Sequence, residues 1–345
     1  MRYEPRVDRV HLAQAVHFQY GLPVEEVEFV PLGYATACYA LRSPNGTRYF
    51  AKLWPRWRVD DPTGSQRETT LALLRALHDR GLYPRVPCPF LTQNGATWAS
   101  CDGIPFAVFP FLPGRTPPGW PAWPPHVWLA MARALATIHR GGPALADVPL
   151  PQEQFSIPFE ADLRHGLDRV HHLTPAARPG LRALRALVQP RRADILAQLA
   201  RLHRLQQTVQ TLPSSFVLCH RDFGGDNLFV DDAGALWALD WDGARLAPPE
   251  HDLCVGAEGG QLPSFLAAYA EAGGVELQRL HLDQFAFALL RRYVQDLAAR
   301  LLRLLEDGVS EDEQQDALDG MMAWGFTQWS RLDDRLDALA AALRA

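Results

Sequence analysis

The chain contains a single lysine, Lys52; the other 33 of its 34 basic residues are arginine. No Lys/Arg-rich stripe stands out and the net charge is −5, which argues against a nucleic-acid partner. Nowhere do 18 consecutive residues lack charge, so no transmembrane helix is expected, and Met1-Arg2-Tyr3-Glu4-Pro5 contains no apolar signal core. A soluble, cytoplasmic protein is expected. The five cysteines, Cys38, Cys88, Cys101, Cys219 and Cys254, form no C-x-x-C pair. They read as small buried residues, which excludes a zinc ribbon or a disulfide framework. The chain also lacks an internal repeat and a Walker-type phosphate loop.

What is present is ample core. The chain has 345 residues, 48% of them apolar and 21% charged, enough for two domains or one two-lobed domain. Residues 6–20 carry a short helical pattern. Apolar runs at 29–32 and 38–41 flank a small-residue turn, Gly33 to Ala37. Ser43-Pro44-Asn45-Gly46 is a second turn, and 48–54 reads as the next strand, carrying Lys52. Asp61-Pro62 signals a helix start, with the helix running to about His78. Strands are expected at 87–92, 97–101 and 104–111. Pro113-Gly114 and Pro117-Pro118-Gly119 then break the chain, which puts a lobe boundary after residue 111. Beyond it the pattern is helical: a helix after Pro125, segments at 157–173 and 181–212 interrupted at Pro190, and long amphipathic helices at 277–306 and 311–344.

One stretch, 216–252, departs from that pattern. It runs from an apolar strand into His220-Arg221-Asp222, reaches Asn227 five residues on, and continues through two short apolar runs around Asp231-Asp232-Ala233-Gly234. It ends at Asp240-Trp241-Asp242. A strand, a polar loop and a hairpin bring Asp222, Asn227 and Asp240 to neighbouring strand ends. Two carboxylates and an amide suit a hard divalent cation, normally Mg²⁺ with a phosphate ligand.

His-Arg-Asp with Asn at the fifth position resembles the catalytic loop of the protein kinase fold. Only six residues separate Asp240 from Ala247, too few for a loop that holds a peptide. The segment therefore resembles the aminoglycoside phosphotransferase family, and the run from Trp241 to Asp252 is most similar to its spectinomycin-phosphotransferase-like branch. The resemblance implies an α+β, bilobal, protein-kinase-like fold: a small antiparallel sheet lobe, residues 1–111, that binds nucleotide, and a large mainly helical lobe, 112–345.

It also implies a set of roles. Asp222 would be the catalytic base; Asn227 and Asp240 would hold Mg²⁺. Lys52 would hold ATP phosphates and pair with Glu68, although Ser65-x-x-Glu68 also reads as a capping box. Gly33 and Thr36 would cover the phosphates. The backbone at Phe109, Phe111 and Leu112 would meet the adenine, Pro110 having no N–H to give. His220 would scaffold the loop and Asp252 would brace it. Asp242 and Glu250 are candidates for the substrate side, where acidic groups would suit a cationic aminocyclitol or aminoglycoside; an exposed structural role is open for both. The implied activity is ATP-dependent phosphorylation of a small-molecule hydroxyl, with antibiotic resistance as the expected role. A metabolic kinase for a choline, sugar or amino alcohol is the alternative, and a non-catalytic nucleotide-binding protein a third reading.

Overall fold

The structure, a computed structural model, describes residues 4–31, 36–55, 65–112 and 114–344. The helices are α1 (Arg9–Tyr20), α2 (Ser65–Asp79), α3 (Pro125–Gly141), α4 (Glu160–His171), α5 (Pro179–Val188), α6 (Arg192–Val209), α7 (Glu250–Leu253), α8 (Leu262–Glu271), α9 (Leu282–Leu305), α10 (Glu311–Gly320), α11 (Thr327–Ser330) and α12 (Leu332–Arg344). The strands are β1 (Glu26–Val30), β2 (Ala37–Arg42), β3 (Arg48–Leu53), β4 (Ala99–Cys101), β5 (Ile104–Pro110), β6 (Val217–Cys219), β7 (Leu228–Val230), β8 (Leu236–Ala238) and β9 (Arg245–Ala247). The chain divides into two compact units. One comprises Met1–Pro151 with His220–Arg245, the other Gln152–Cys219 with Leu246–Ala345. The first thus takes in residues on both sides of position 111.

In the first unit, five antiparallel strands pair in the order β1-β2-β3-β5-β4. Strand alternation sorts their side chains. Tyr39, Leu41, Ala51, Leu53, Phe106 and Val108 are buried in one core with Leu12, Val16 and Tyr20 of α1, which recur every four residues. Each buried aliphatic side chain contributes about 1.5–3 kcal/mol. Helix α1 starts where the Asp8 carboxylate accepts the Val10 and His11 N–H groups, and stops at Gly21, whose φ is +69°.

The strand expected at 87–92 does not form. Pro87 and Pro89 cannot donate to a ladder, and the segment contributes the Phe90 N–H to the Val108 carbonyl (2.8 Å) before turning at Asn94-Gly95. The helix start expected at Asp61-Pro62 lies outside the described residues.

The second unit is helical. Ile195, Leu199 and Leu202 of α6 are buried, as are Ala286, Leu290, Tyr293, Leu297, Leu301 and Leu304 of α9. The continuous helix expected over 311–344 is broken. A π-helical turn, Met321–Phe326, follows α10, and Arg331 separates α11 from α12. The extra residue per turn rotates the apolar face, leaving Met322 37% exposed while Phe326 and Trp329 are buried. Gly320 lets the Arg300 guanidinium lie against this turn, where a Cβ would stand 2.3 Å from it and displace the flexible arginine end.

This unit also holds a buried ion pair that the sequence pattern does not reveal. Arg291 of α9 donates from Nη1 and Nη2 to the two carboxylate oxygens of Glu153, both at 2.9 Å. Glu153 further accepts the Phe155 N–H at 2.6 Å. Phe155 adopts φ +55°, a conformation that a non-glycine residue holds only when its surroundings enforce it.

Candidate active site

The hairpin β7–β8 sets the site. Its register pairs Leu228 with Ala238 and Val230 with Leu236. Extending it by one residue sets Asn227 opposite Leu239, and the Leu239 N–H donates to the Asn227 carbonyl at 2.8 Å. Asp240 follows at once. The connecting turn is closed by Asp231, whose Oδ1 accepts the Ala233 and Ala235 N–H groups and whose Oδ2 accepts the Trp237 indole N–H. Gly234 completes it at φ +75°.

Asn227 and Asp222 are brought together. The Asn227 amide Nδ2 donates to the Asp222 carboxylate Oδ2 at 2.7 Å and to the Asp222 carbonyl at 3.0 Å. With its NH₂ committed to two acceptors, the amide turns its oxygen the other way, as a cation ligand requires. His220 ties this loop to the strand before Asp240. Its Nδ1 accepts the Asp222 N–H at 3.2 Å, so Nε2 carries the proton and donates to the Leu239 carbonyl at 2.8 Å. The ring is fully buried and meets Trp241 edge-on, with centroids 4.6 Å apart. Both ring nitrogens are thus engaged by backbone groups of the loop and the strand.

Two residues beside the loop adopt left-handed backbone: Arg221 at φ +71° and Asp240 at φ +54°. Such conformations cost about 1–3 kcal/mol each and collect at functional sites. At Asp240 the turn takes the chain out of β8 into a 3₁₀ turn, Trp241–Gly243, with the buried Trp241 donating its indole N–H to the Ala238 carbonyl.

Lys52 completes the group. On β3 it sits opposite Cys38 of β2 and Ala107 of β5, two slim neighbours that leave room for its stem. Its Nζ donates to Asp240 Oδ1 at 3.1 Å and to Asp242 Oδ2 at 2.8 Å. Burial opposes the charge on Lys52, but the carboxylates of Asp242 and Asp240 outweigh it and hold the ammonium above its ordinary value. The Lys52 charge in turn pulls the Asp240 carboxyl below the usual carboxylate range. Although it follows a buried strand, the Asp240 side chain is half exposed, at 52%. It is therefore not an enclosed carboxylate but one open to a ligand. Asn227 and Asp240 both offer hard oxygen donors, and this donor set fits Mg²⁺.

The remaining expected residues are placed as follows. Glu68 lies exposed in the first turn of α2, and Lys52 pairs with Asp242 rather than with it. Helix α2 reaches this region instead through Gln66, whose Nε2 donates to the Asp242 carbonyl at 2.5 Å. Asp242 is thus turned toward Lys52, not held as a free acidic group. Glu250 is 2% exposed and its carboxylate accepts the His281 N–H at 2.7 Å, at the start of α9; burial pushes its carboxyl up. A buried brace of this kind is not a substrate-facing acid. Asp252 is buried in α7 of the same unit. Thr36 is buried at the start of β2, and Gly33 lies outside the described residues. Phe109 is buried near the end of β5, with half-buried Phe111 and Leu112 beyond it; the Arg48 guanidinium stacks on the Phe111 ring at 3.5 Å.

The lysine's second partner was readable only as the third letter of Asp-Trp-Asp. Gln66, a neutral helix residue, gave no signal at all.

A phosphotransferase enzyme family model matches residues 26–282. Among solved structures, a spectinomycin phosphotransferase in complex with ADP and spectinomycin superposes with a TM-score of 0.77 at 17% identity, covering 97% of this chain and 99% of that one. An amicoumacin kinase in complex with AMP-PNP and Ca²⁺ gives 0.65 at 16% identity, covering 96% and 94%. A microcompartment-associated aminopropanol kinase gives 0.58 at 16% identity, covering 95% and 99%. No curated protein matches the sequence. The α+β, protein-kinase-like fold is shared with these structures.

Proposed function

Because the chain belongs to the phosphotransferase enzyme family, we propose that it transfers the γ-phosphate of ATP to a hydroxyl of a small molecule. The observation that carries this reading is the pairing of Asp222 with Asn227 beside Asp240, with Lys52 on the last of these. Phosphoryl transfer asks the protein mainly to position groups and offset charge. Asp222 would orient the acceptor hydroxyl and take its proton late in the transfer. The Asn227 amide would fix the Asp222 carboxylate in rotation, and His220 would fix its backbone. Asn227 and Asp240 would hold Mg²⁺, which when bound supplies charge compensation to the phosphates. Lys52 would meet the phosphates with a charge that its partners keep on at any physiological pH. Thr36 would lie along the phosphates, and the backbone at Phe109, Phe111 and Leu112 would receive the adenine. A nucleotide lobe over 1–111 and a helical lobe over 112–345 belong to the same reading.

For the acceptor we favour an aminocyclitol or aminoglycoside antibiotic, supported by the likeness to the spectinomycin phosphotransferase. Asp242 and Glu250 do not add to that support, since one is paired with Lys52 and the other is buried. The likeness to the aminopropanol kinase favours a second reading, a metabolic amino-alcohol kinase in the cytoplasm. A panel of antibiotic and metabolic alcohols, read as ADP release, separates the two. Turnover confined to aminocyclitols supports the first, turnover confined to small amino alcohols the second. Asp222→Asn is expected to lower kcat about 10²–10⁴-fold on the best acceptor.

A further inference from the structure

We propose that Asp242 is the residue that positions Lys52 for the nucleotide, in place of an acidic residue on α2; this rests on the phosphotransferase reading above. Three observations converge. The shorter of the two Lys52 contacts is to Asp242 Oδ2, at 2.8 Å against 3.1 Å to Asp240. Glu68, where the resemblance looks for the partner, is exposed on α2. Helix α2 reaches the Asp242 segment through the neutral Gln66, which donates to the Asp242 carbonyl.

The local backbone explains how one short segment can do this. Asp240 in left-handed conformation turns the chain into the 3₁₀ turn Trp241–Gly243, and the buried Trp241 pins that turn against His220. Two carboxylates separated by one residue then reach the same ammonium. Gly243 also lies tight against the loop: a Cβ there would stand 3.3 Å from the His220 carbonyl. Asp240 can therefore turn to a cation on nucleotide binding while Asp242 keeps its hold on Lys52. In protein kinases the lysine is held by a helix whose movement controls activity. Here the holder is covalently tied, two residues away, to the carboxylate that would take the metal. The lysine's position is thereby coupled to the metal-binding turn.

The test is ADP binding by calorimetry on the full chain, which needs no acceptor, in buffer with Mg²⁺ and again in EDTA. Asp242→Asn is expected to weaken ADP about tenfold, the scale of one charge-assisted hydrogen bond. The loss should persist in EDTA, because the role acts through Lys52 and not through the metal. Combined with Lys52→Met it should add less than twofold to the loss from Lys52→Met alone. Glu68→Gln should change affinity less than twofold. Circular dichroism and the thermal midpoint of each variant check that it folds, and Asp242→Glu should recover part of the affinity. A loss that vanishes in EDTA would make Asp242 a metal ligand and overturn the assignment. So would additivity with Lys52→Met, or a Glu68→Gln effect that is tenfold and non-additive with Lys52→Met. If the wild-type chain binds ADP and Asp242→Asn binds it equally, only this assignment fails. If the wild-type chain binds no nucleotide, the phosphotransferase reading fails with it.

Discussion

Asp222 owes its geometry to two neighbours. Asn227 clamps its carboxylate and His220 clamps its N–H. Replacing His220 with glutamine should therefore cost stability and kcat together, because both backbone contacts of the ring are lost. A kcat loss with the unfolding midpoint unchanged would contradict this. Glu250 makes the opposite case. Its carboxyl, ordinarily near 4.5, is raised by burial in the folded chain. The folded state thus holds this proton more tightly than the unfolded state does. Its contribution to stability is fully present below the ordinary value and is lost as pH rises through the raised one. Glu250→Gln, which mimics the protonated form, should flatten the fall in stability above pH 4.5 and be no less stable than wild type at pH 7. The KM for acceptor should not move, since the side chain is buried under α9. Denaturant midpoints across pH 4 to 8 check the first expectation and steady-state kinetics the second. At this scale, Asp222, Asn227 and Asp240 were legible because hairpin spacing alone converts their separation into proximity. The partner of Lys52 was not legible, because two carboxylates compete for one ammonium and only the backbone turn at Asp240 decides between Glu68 and Asp242.

Among the elements, the sheet was the clearest in the sequence. Turn residues at Ser43–Gly46 and alternating side chains on β2 and β3 fixed their pairing. The segment at 87–92 failed for a local reason, two prolines in a six-residue run, and the pairing order β3-β5-β4 depends on partners far apart in the chain. Helix α9 was legible from its apolar stripe. The break of 311–344 into a π-helical turn and two further helices was not, because a continuous apolar period hides one inserted residue per turn. The strap formed by Glu153 and Arg291 was also invisible, since an isolated Glu and an isolated Arg carry no spacing signal. It makes a sharp prediction. Glu153→Gln leaves the Arg291 guanidinium buried without its charge partner and should destabilise the chain by about 3–5 kcal/mol. The double replacement Glu153→Gln with Arg291→Met should recover much of that loss. Urea unfolding of the single and double variants reads both values.

For the molecule as a whole, the family, the fold and the site agree on phosphoryl transfer, and the acceptor is the open choice that the panel decides. The lining of the acceptor side was the least legible part of the sequence, because the two acidic residues nearest the motif are used elsewhere, one on Lys52 and one beneath α9. Everything else follows from a single claim: that Asp222 acts on an acceptor hydroxyl beside a nucleotide held by Lys52, Asn227 and Asp240. The most direct measurement is acceptor-dependent ADP release by wild type and by Asp222→Asn, with ADP affinity measured on both. The account predicts that kcat falls by about 10²–10⁴-fold while ADP affinity changes less than threefold. Undiminished turnover in Asp222→Asn, with nucleotide affinity intact, would contradict it.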